Sequence, residues 1–233
     1  MNQSKTPSSA IFYAFRAAIP VMTGYTVLSI GFGILLRAKG FGLPYALLMS
    51  LWIYAGSMQY VAVDLLVGGV SVLTTALMTL MVNVRHIFYG ITMLEPYQKA
   101  RRKYRLYSIF ALTDETFSLV VNPSLPENVP QDTYCFWVSL FDHLAWILGT
   151  VIGSLLGNII PFDTTGIDFS MTALFVIIVL EQWEQSKQHL PALTGLGLSL
   201  LCLLLFGSSN FLIPAMLLIT AALFLEKKYI EKA

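Results

Sequence analysis

Apolar residues in this chain come in long blocks separated by short polar punctuation, which predicts helices of membrane-spanning length rather than alternating strands. Ile19 to Leu36 is the first strong block, with Pro20 near its start and Gly24, Gly31 and Gly33 along it. Leu43 to Val67 follows, opened by Pro44 at a favoured first-turn position and interrupted by Ala55, Gly56 and Ser57. Ser71 to Leu94 is a third block, and it carries Asn83, Arg85 and His86 inside it. Leu106 to Val121 is apolar at its ends and polar at its centre, through Thr113, Asp114, Glu115 and Thr116. Cys135 to Ile160, Phe169 to Leu180, Leu190 to Phe206 and Phe211 to Leu225 complete the set. The pattern predicts an all-α, polytopic membrane helical bundle of about seven spans with broken or re-entrant helices. It leaves no room for a second domain, so residues 1–233 form one integral membrane unit.

Composition agrees with this reading. Hydrophobic residues make up 56% of the chain and charged residues 12%, with a mean hydropathy of +0.71. That charge fraction is about half the usual value for a soluble domain. A net charge of +1 and the absence of a long basic run outside one loop argue against nucleic acid as a partner. Cys135 and Cys202 lie in or beside apolar blocks and form neither a disulfide framework nor a CxxC metal motif. The polar N-terminal tail has no apolar stretch followed by a small-residue cleavage site, so no removable leader is read from it.

The basic segment Lys99, Arg101, Arg102, Lys103 and Arg105 is expected to be a cytoplasmic loop by the positive-inside rule. If Leu106 to Val121 enters the bilayer and returns, the C-terminal lysines Lys227, Lys228 and Lys232 are also cytoplasmic. Counting backwards places Arg37 and Lys39 inside and the N-terminus outside, with Lys5 and Arg16 breaking the pattern. Phe15 and Gly31 recur as Phe141 and Gly157 at one spacing, which suggests repeat halves of about residues 15–94 and 135–225 facing opposite ways. The same spacing carries the Ala55–Ser57 break to the neighbourhood of Glu181 and Gln182.

An ionisable side chain in the bilayer costs roughly 2.5–3.5 kcal/mol on insertion scales, so each needs a partner or a purpose. Arg85 either holds a substrate carboxylate or reaches lipid phosphates. His86 is either a proton acceptor or an interfacial side chain. Asp114 and Glu115 either neutralise Arg85, bind an ammonium, or carry a coupling proton. Gly56 and Ser57 either break a helix, exposing backbone N–H groups to an anion, or allow close helix contact. Asp142 and His143 are expected near a membrane interface. Gly149, Gly153 and Gly157 read as a packing stripe, within the chain or against a partner.

Four segments together carry a resemblance. These are FRAAIP at 15–20, AGSMQY at 55–60, NVRHIFYG at 83–90 and LTDETFSL at 112–119. In this order they resemble the AzlC family, the large subunits of bacterial branched-chain amino-acid exporters. The resemblance covers about Phe15 to Leu225. It implies export of leucine, isoleucine, valine or a similar amino acid such as methionine, from the cytoplasmic (inner) membrane. It also implies a small hydrophobic membrane partner of the AzlD type; no cofactor or metal is expected. The family's motif residues fall on Gly56, Gln59, Asn83, Arg85, His86, Asp114 and Glu115, with Ser57 beside them at the break. Glu181 and Glu184 depart from the pattern, where a less acidic stretch is expected. Met58, Tyr60 and Phe88 are the expected contacts of an apolar substrate side chain. Proton antiport is the natural energy source, since no phosphate-binding loop occurs. The rival classes are an intramembrane enzyme built on His86, Asp114, Glu115, Asp142 and His143, and a scaffold for another transporter. No HExxH or GxSxG motif supports the enzyme.

Overall fold

The computed structural model describes residues 7–159, 176, 179–180, 183–184 and 188–230, and all regular structure among them is helical. These residues fall into two compact units, Met1–Met171 and Thr172–Ala233. The Glu181–Gln182 interruption lies outside the described residues, as does most of the expected Phe169–Leu180 span.

Two long helices form the spine of the first unit, α1 (Pro7–Ala38) and α9 (Gln131–Ile159). Both are long and apolar enough to cross a membrane. Glycines let their backbones approach closely. A Cβ added at Gly149 would stand 2.6 Å from the Thr26 carbonyl oxygen, one at Gly153 would stand 2.1 Å from the Ile30 carbonyl, and one at Gly33 would stand 2.3 Å from the Thr150 carbonyl. The small-residue stripe on α9 is therefore consumed inside the chain, against α1.

These contacts advance together along both helices. Phe15 meets Phe141 edge-on with ring centroids 5.4 Å apart, Ser29 faces Gly149, and Arg37 bonds Asn158. The spine helices thus run parallel. This overturns the expected opposite orientation of the two halves, because an inverted repeat would set the helices carrying Phe15 and Phe141 antiparallel. It also moves the N-terminal end of α1. Ala10 and Ala14 pack with Tyr97, Tyr134 and Cys135, at the end where Arg101 pairs with Asp132. The N-terminus therefore shares an end with the basic segment, and Arg37 and Lys39 lie at the opposite end. Arg16 now falls on the side that the positive-inside rule favours.

The second expected span is a helical hairpin. α2 (Leu43–Trp52) runs from the Arg37 end towards the middle of α9, where Ser50 bonds Thr150 at 3.0 Å. The chain turns at Ile53, Tyr54 and Ala55, with Tyr54 in the left-handed region at φ 37°. α3 (Gly56–Gly68) then folds back. Gln59 reaches Ser50 at 3.4 Å and Tyr60 bonds the Leu28 carbonyl at 2.7 Å, so α3 rises beside the helix it followed. In one continuous helix residues 50 and 59 would be about 13 Å apart.

α4 (Val72–Asn83) and α5 (Arg85–Thr92) form a bent pair, with 46° between Val72–Leu80 and Arg85–Thr92. α6 (Leu94–Lys99) follows, then α7 (Arg102–Phe110), so the basic segment expected to be a loop is helical except at Ala100 and Arg101. α7 climbs along α9, through Tyr104 against Phe136 and Tyr107 against His143. It turns at Ala111–Thr113, and α8 (Asp114–Val120) descends, with Thr116 bonded to Asp142 and the Leu119 carbonyl to Tyr134. This is a second hairpin, entering from the end opposite to the first.

The second unit contains α10 (Leu190–Asn210) and α11 (Leu212–Ile230), which pack on each other. α10 opens with Pro191 in its first turn and bends at Gly207, where φ is 71°. Its segment Leu190–Gly207 is long and apolar enough to span, and Leu204 and Leu205 are exposed. Across the described residues three helices reach spanning length, or four spans if α4 and α5 are counted as one.

Candidate functional site

The helix breaks of the first unit converge at mid-height of the spine. The first hairpin's tip is seated on α9, with the Tyr54 ring 4.1 Å from His143. Gly56 sits so close to Trp146 that an added Cβ would lie 2.9 Å from its ring. Only glycine lets α3 begin there. Thr113 caps α8 by accepting the Thr116 amide at 3.3 Å, which ends the second hairpin's turn. At the bend of α4–α5, the Ile87 amide bonds the Val84 carbonyl at 3.1 Å, leaving the Asn83 carbonyl to His86 Nδ1 at 3.1 Å. Asn83 in turn donates to the Thr79 carbonyl at 2.9 Å.

Arg85 is the link between these breaks. Its Nη2 donates to Ser57 Oγ at 2.7 Å, in the first turn of α3, and lies 2.9 Å from Asp114 Oδ2, the first residue of α8. Tyr89, one turn along α5, donates to the other oxygen of Asp114, and its ring stacks on Phe117. Arg85 and Asp114 keep 28% and 18% of their side-chain surface exposed, so the pair is within reach of a ligand. Glu115 points elsewhere, accepting from Tyr25 of α1 at 2.6 Å.

Of the residues singled out from sequence, Ser57, Arg85 and Asp114 therefore meet directly, with Gly56 adjoining and Glu115 one residue away. Asn83 and His86 bond backbone of their own bent span. Gln59 is fully buried and turned to Ser50. Tyr60 is buried with its ring against Phe32, and Phe88 is exposed, so neither joins this cluster as expected. Asp142 and His143 are not interfacial. Both are buried in the middle of α9, where Asp142 accepts from Thr116 at 2.8 Å. His143 Nε2 donates to the Ser50 carbonyl at 2.9 Å, and Tyr107 donates to Nδ1 at 2.8 Å. Tyr25, Tyr54 and Tyr89 carry no signal in sequence, because tyrosines recur throughout the apolar blocks and only the tertiary arrangement turns their hydroxyls inward.

The profile of the family described as AzlC protein matches residues 20–160, which hold α1 from Pro20, both hairpins, the bent span and α9. The branched-chain amino acid transport protein AzlC of Bacillus subtilis is 44% identical over all of this chain and 93% of its own length. The chain belongs to the AzlC family. An uncharacterized membrane protein of Haemophilus influenzae is 42% identical over 93% of this chain and 89% of that protein. The inner membrane protein YgaZ of Escherichia coli is 27% identical over 78% of the chain and 77% of its own length. No solved structure matches. Within the AzlC match lie every helix break of the first unit and every contact of Arg85 described above.

Proposed function

We propose that this AzlC-family chain is the large subunit of a secondary transporter that exports branched-chain amino acids, leucine, isoleucine and valine, with methionine as a further substrate. It is read as a carrier rather than an enzyme, resident in the cytoplasmic membrane, driven by a proton and working with a small hydrophobic AzlD-type subunit. The observation that supports this most is the position of Arg85, which ties the tip of one hairpin to the tip of the other. Paired helix breaks near the bilayer midplane are the usual setting of a transporter's substrate site. A zwitterion brings a carboxylate and an ammonium into a low-dielectric space, and Arg85 and Asp114 offer one partner to each. Backbone N–H groups at the start of α3, beside Gly56 and Ser57, add a favourable dipole for the carboxylate. Substrate then competes with the Arg85–Asp114 contact, so its arrival loosens one hairpin tip from the other. Gln59, Asn83 and His86 support this site by holding the first hairpin and the bend in shape.

The test is efflux of preloaded labelled valine, leucine and methionine from membrane vesicles, with and without the small subunit. Arg85→Lys keeps the charge but loses the planar fork, and is expected to weaken efflux in a folded protein. Equal efflux from vesicles lacking the chain, or no effect of Arg85→Lys, would remove the transport reading or its site.

A further inference from the structure

Asp142 and Glu115 belong to no ion pair among the described residues, and a string of hydroxyls joins them. Asp142 Oδ2 bonds Thr116 Oγ1 at 2.8 Å, Thr116 Oγ1 lies 3.0 Å from Thr113 Oγ1, Thr113 Oγ1 lies 2.6 Å from the Tyr25 hydroxyl, and that hydroxyl lies 2.6 Å from Glu115 Oε2. Four consecutive contacts thus run from α9, through the cap of α8, to α1 and back to the first turn of α8. Every intermediate atom is a hydroxyl oxygen, which donates one proton and accepts another, and its hydrogen rotates to suit. Asp142 is 0% exposed and its Oδ1 has no hydrogen-bond partner among the described residues. A lone carboxylate in such a place is expensive unless it binds a proton.

We propose that Asp142, Thr116, Thr113, Tyr25 and Glu115 form a proton relay, with one proton held alternately by Asp142 and Glu115. This rests on the transport reading above and supplies its coupling element. In the structure Thr113 donates to Thr116 and Thr116 to Asp142; with the proton on Asp142 the hydroxyl hydrogens rotate so that each donates towards Glu115. Asp142 releases its proton to Thr116, each hydroxyl hands on its own, and Glu115 receives the one from Tyr25. The string then points the other way, one proton has moved, and no other bond or electron is involved. The relay ends beside the Arg85–Asp114 pair, so a proton arriving on Glu115 alters the field at the substrate's ammonium. The titratable groups around it are Asp114 on α8, Arg85 and Tyr89 on α5, Tyr54 at the first tip, and His143 and Tyr134 on α9. His143 is fixed by Tyr107 and the Ser50 carbonyl and takes no part.

The experiment uses the full chain in vesicles with a pH-sensitive dye, together with leucine binding followed by thermal shift. Tyr25→Phe and Thr116→Val each remove one hydroxyl and leave both carboxylates. They are expected to bind leucine with wild-type affinity and to lose the proton movement that accompanies exchange. Thr116→Ser restores the hydroxyl and should restore that movement. Wild-type proton movement in Tyr25→Phe or Thr116→Val would overturn the relay, and so would equal loss of leucine binding and proton movement. Infrared difference spectra of the purified chain give a readout independent of transport. The band of a protonated carboxyl should vanish in Asp142→Asn, change frequency in Asp142→Glu, and titrate differently in Glu115→Gln. A band untouched by changes at both positions would overturn the relay even if leucine transport stands. Absence of leucine transport with this infrared coupling intact would instead overturn the substrate assignment alone.

Discussion

Arg85 Nη2 lies 2.9 Å from Asp114 Oδ2, although the two residues sit on different helices at opposite sides of the basic segment. The pair joins the bend of α4–α5 to the second hairpin, so its members should be energetically coupled. Arg85→Leu and Asp114→Leu should each destabilise the protein, and the double variant should cost less than the sum. A coupling of about 1–2 kcal/mol is expected, below the roughly 3–5 kcal/mol of a fully buried pair broken on one side, because both side chains keep some exposure. Thermal unfolding of the four purified proteins in one detergent measures it. Strict additivity would show that the contact carries no stability.

The spine is predicted to be intolerant of side chains at its crossing. Gly149→Ala and Gly153→Ala push a methyl into the Thr26 and Ile30 carbonyls, at 2.6 and 2.1 Å. Backbone cannot rotate away, so each should cost at least about 1–3 kcal/mol. Gly195→Ala in the second unit, where an added Cβ meets nothing, is the matched control. Melting temperatures that leave all three variants alike would contradict the parallel crossing.

Gly56→Ala should act through a single neighbour. Its methyl would meet Trp146 at 2.9 Å and lift the first hairpin's tip away from α9. If the chain exports leucine as proposed, that efflux is expected to fall sharply, with a stability loss of about 1–3 kcal/mol. Trp146→Phe makes room, so the double variant should recover part of the efflux lost by Gly56→Ala. No recovery would mean that the tip fails for another reason.

Sidedness follows from the parallel spine. Because α1 begins at the same end as the basic segment, Lys39 should face outwards when Arg102 faces the cytoplasm. In a background with both cysteines replaced, Lys39→Cys should react with an impermeant thiol reagent on intact cells and Arg102→Cys should not. The opposite labelling would place the N-terminal end of α1 outside.

Much of this protein is set by its order of side chains alone. Apolar blocks of bilayer length make helices unavoidable, since every backbone polar group in lipid needs an intrachain partner. The same blocks expose their interruptions, so Gly56, Ser57, Arg85, Asp114 and Glu115 stand out as costly positions along the chain itself. The glycine stripe at Gly149 and Gly153 likewise announces close packing. What length and composition leave open is direction. Leu43 to Val67 is long enough to cross, and only tertiary contacts such as Gln59 to Ser50 at 3.4 Å and Tyr60 to the Leu28 carbonyl at 2.7 Å reveal that it turns back. Phe15 and Phe141 share one spacing with Gly31 and Gly157, yet their edge-on contact belongs to parallel helices, the reverse of an inverted pair. Periodicity is blind to such facts because it is the same read from either end of a helix. The hydroxyl string from Asp142 to Glu115 is equally invisible to it. Its members come from three separate helices, and each alone is an ordinary threonine, tyrosine or carboxylate until packing sets their oxygens within about 3 Å of one another.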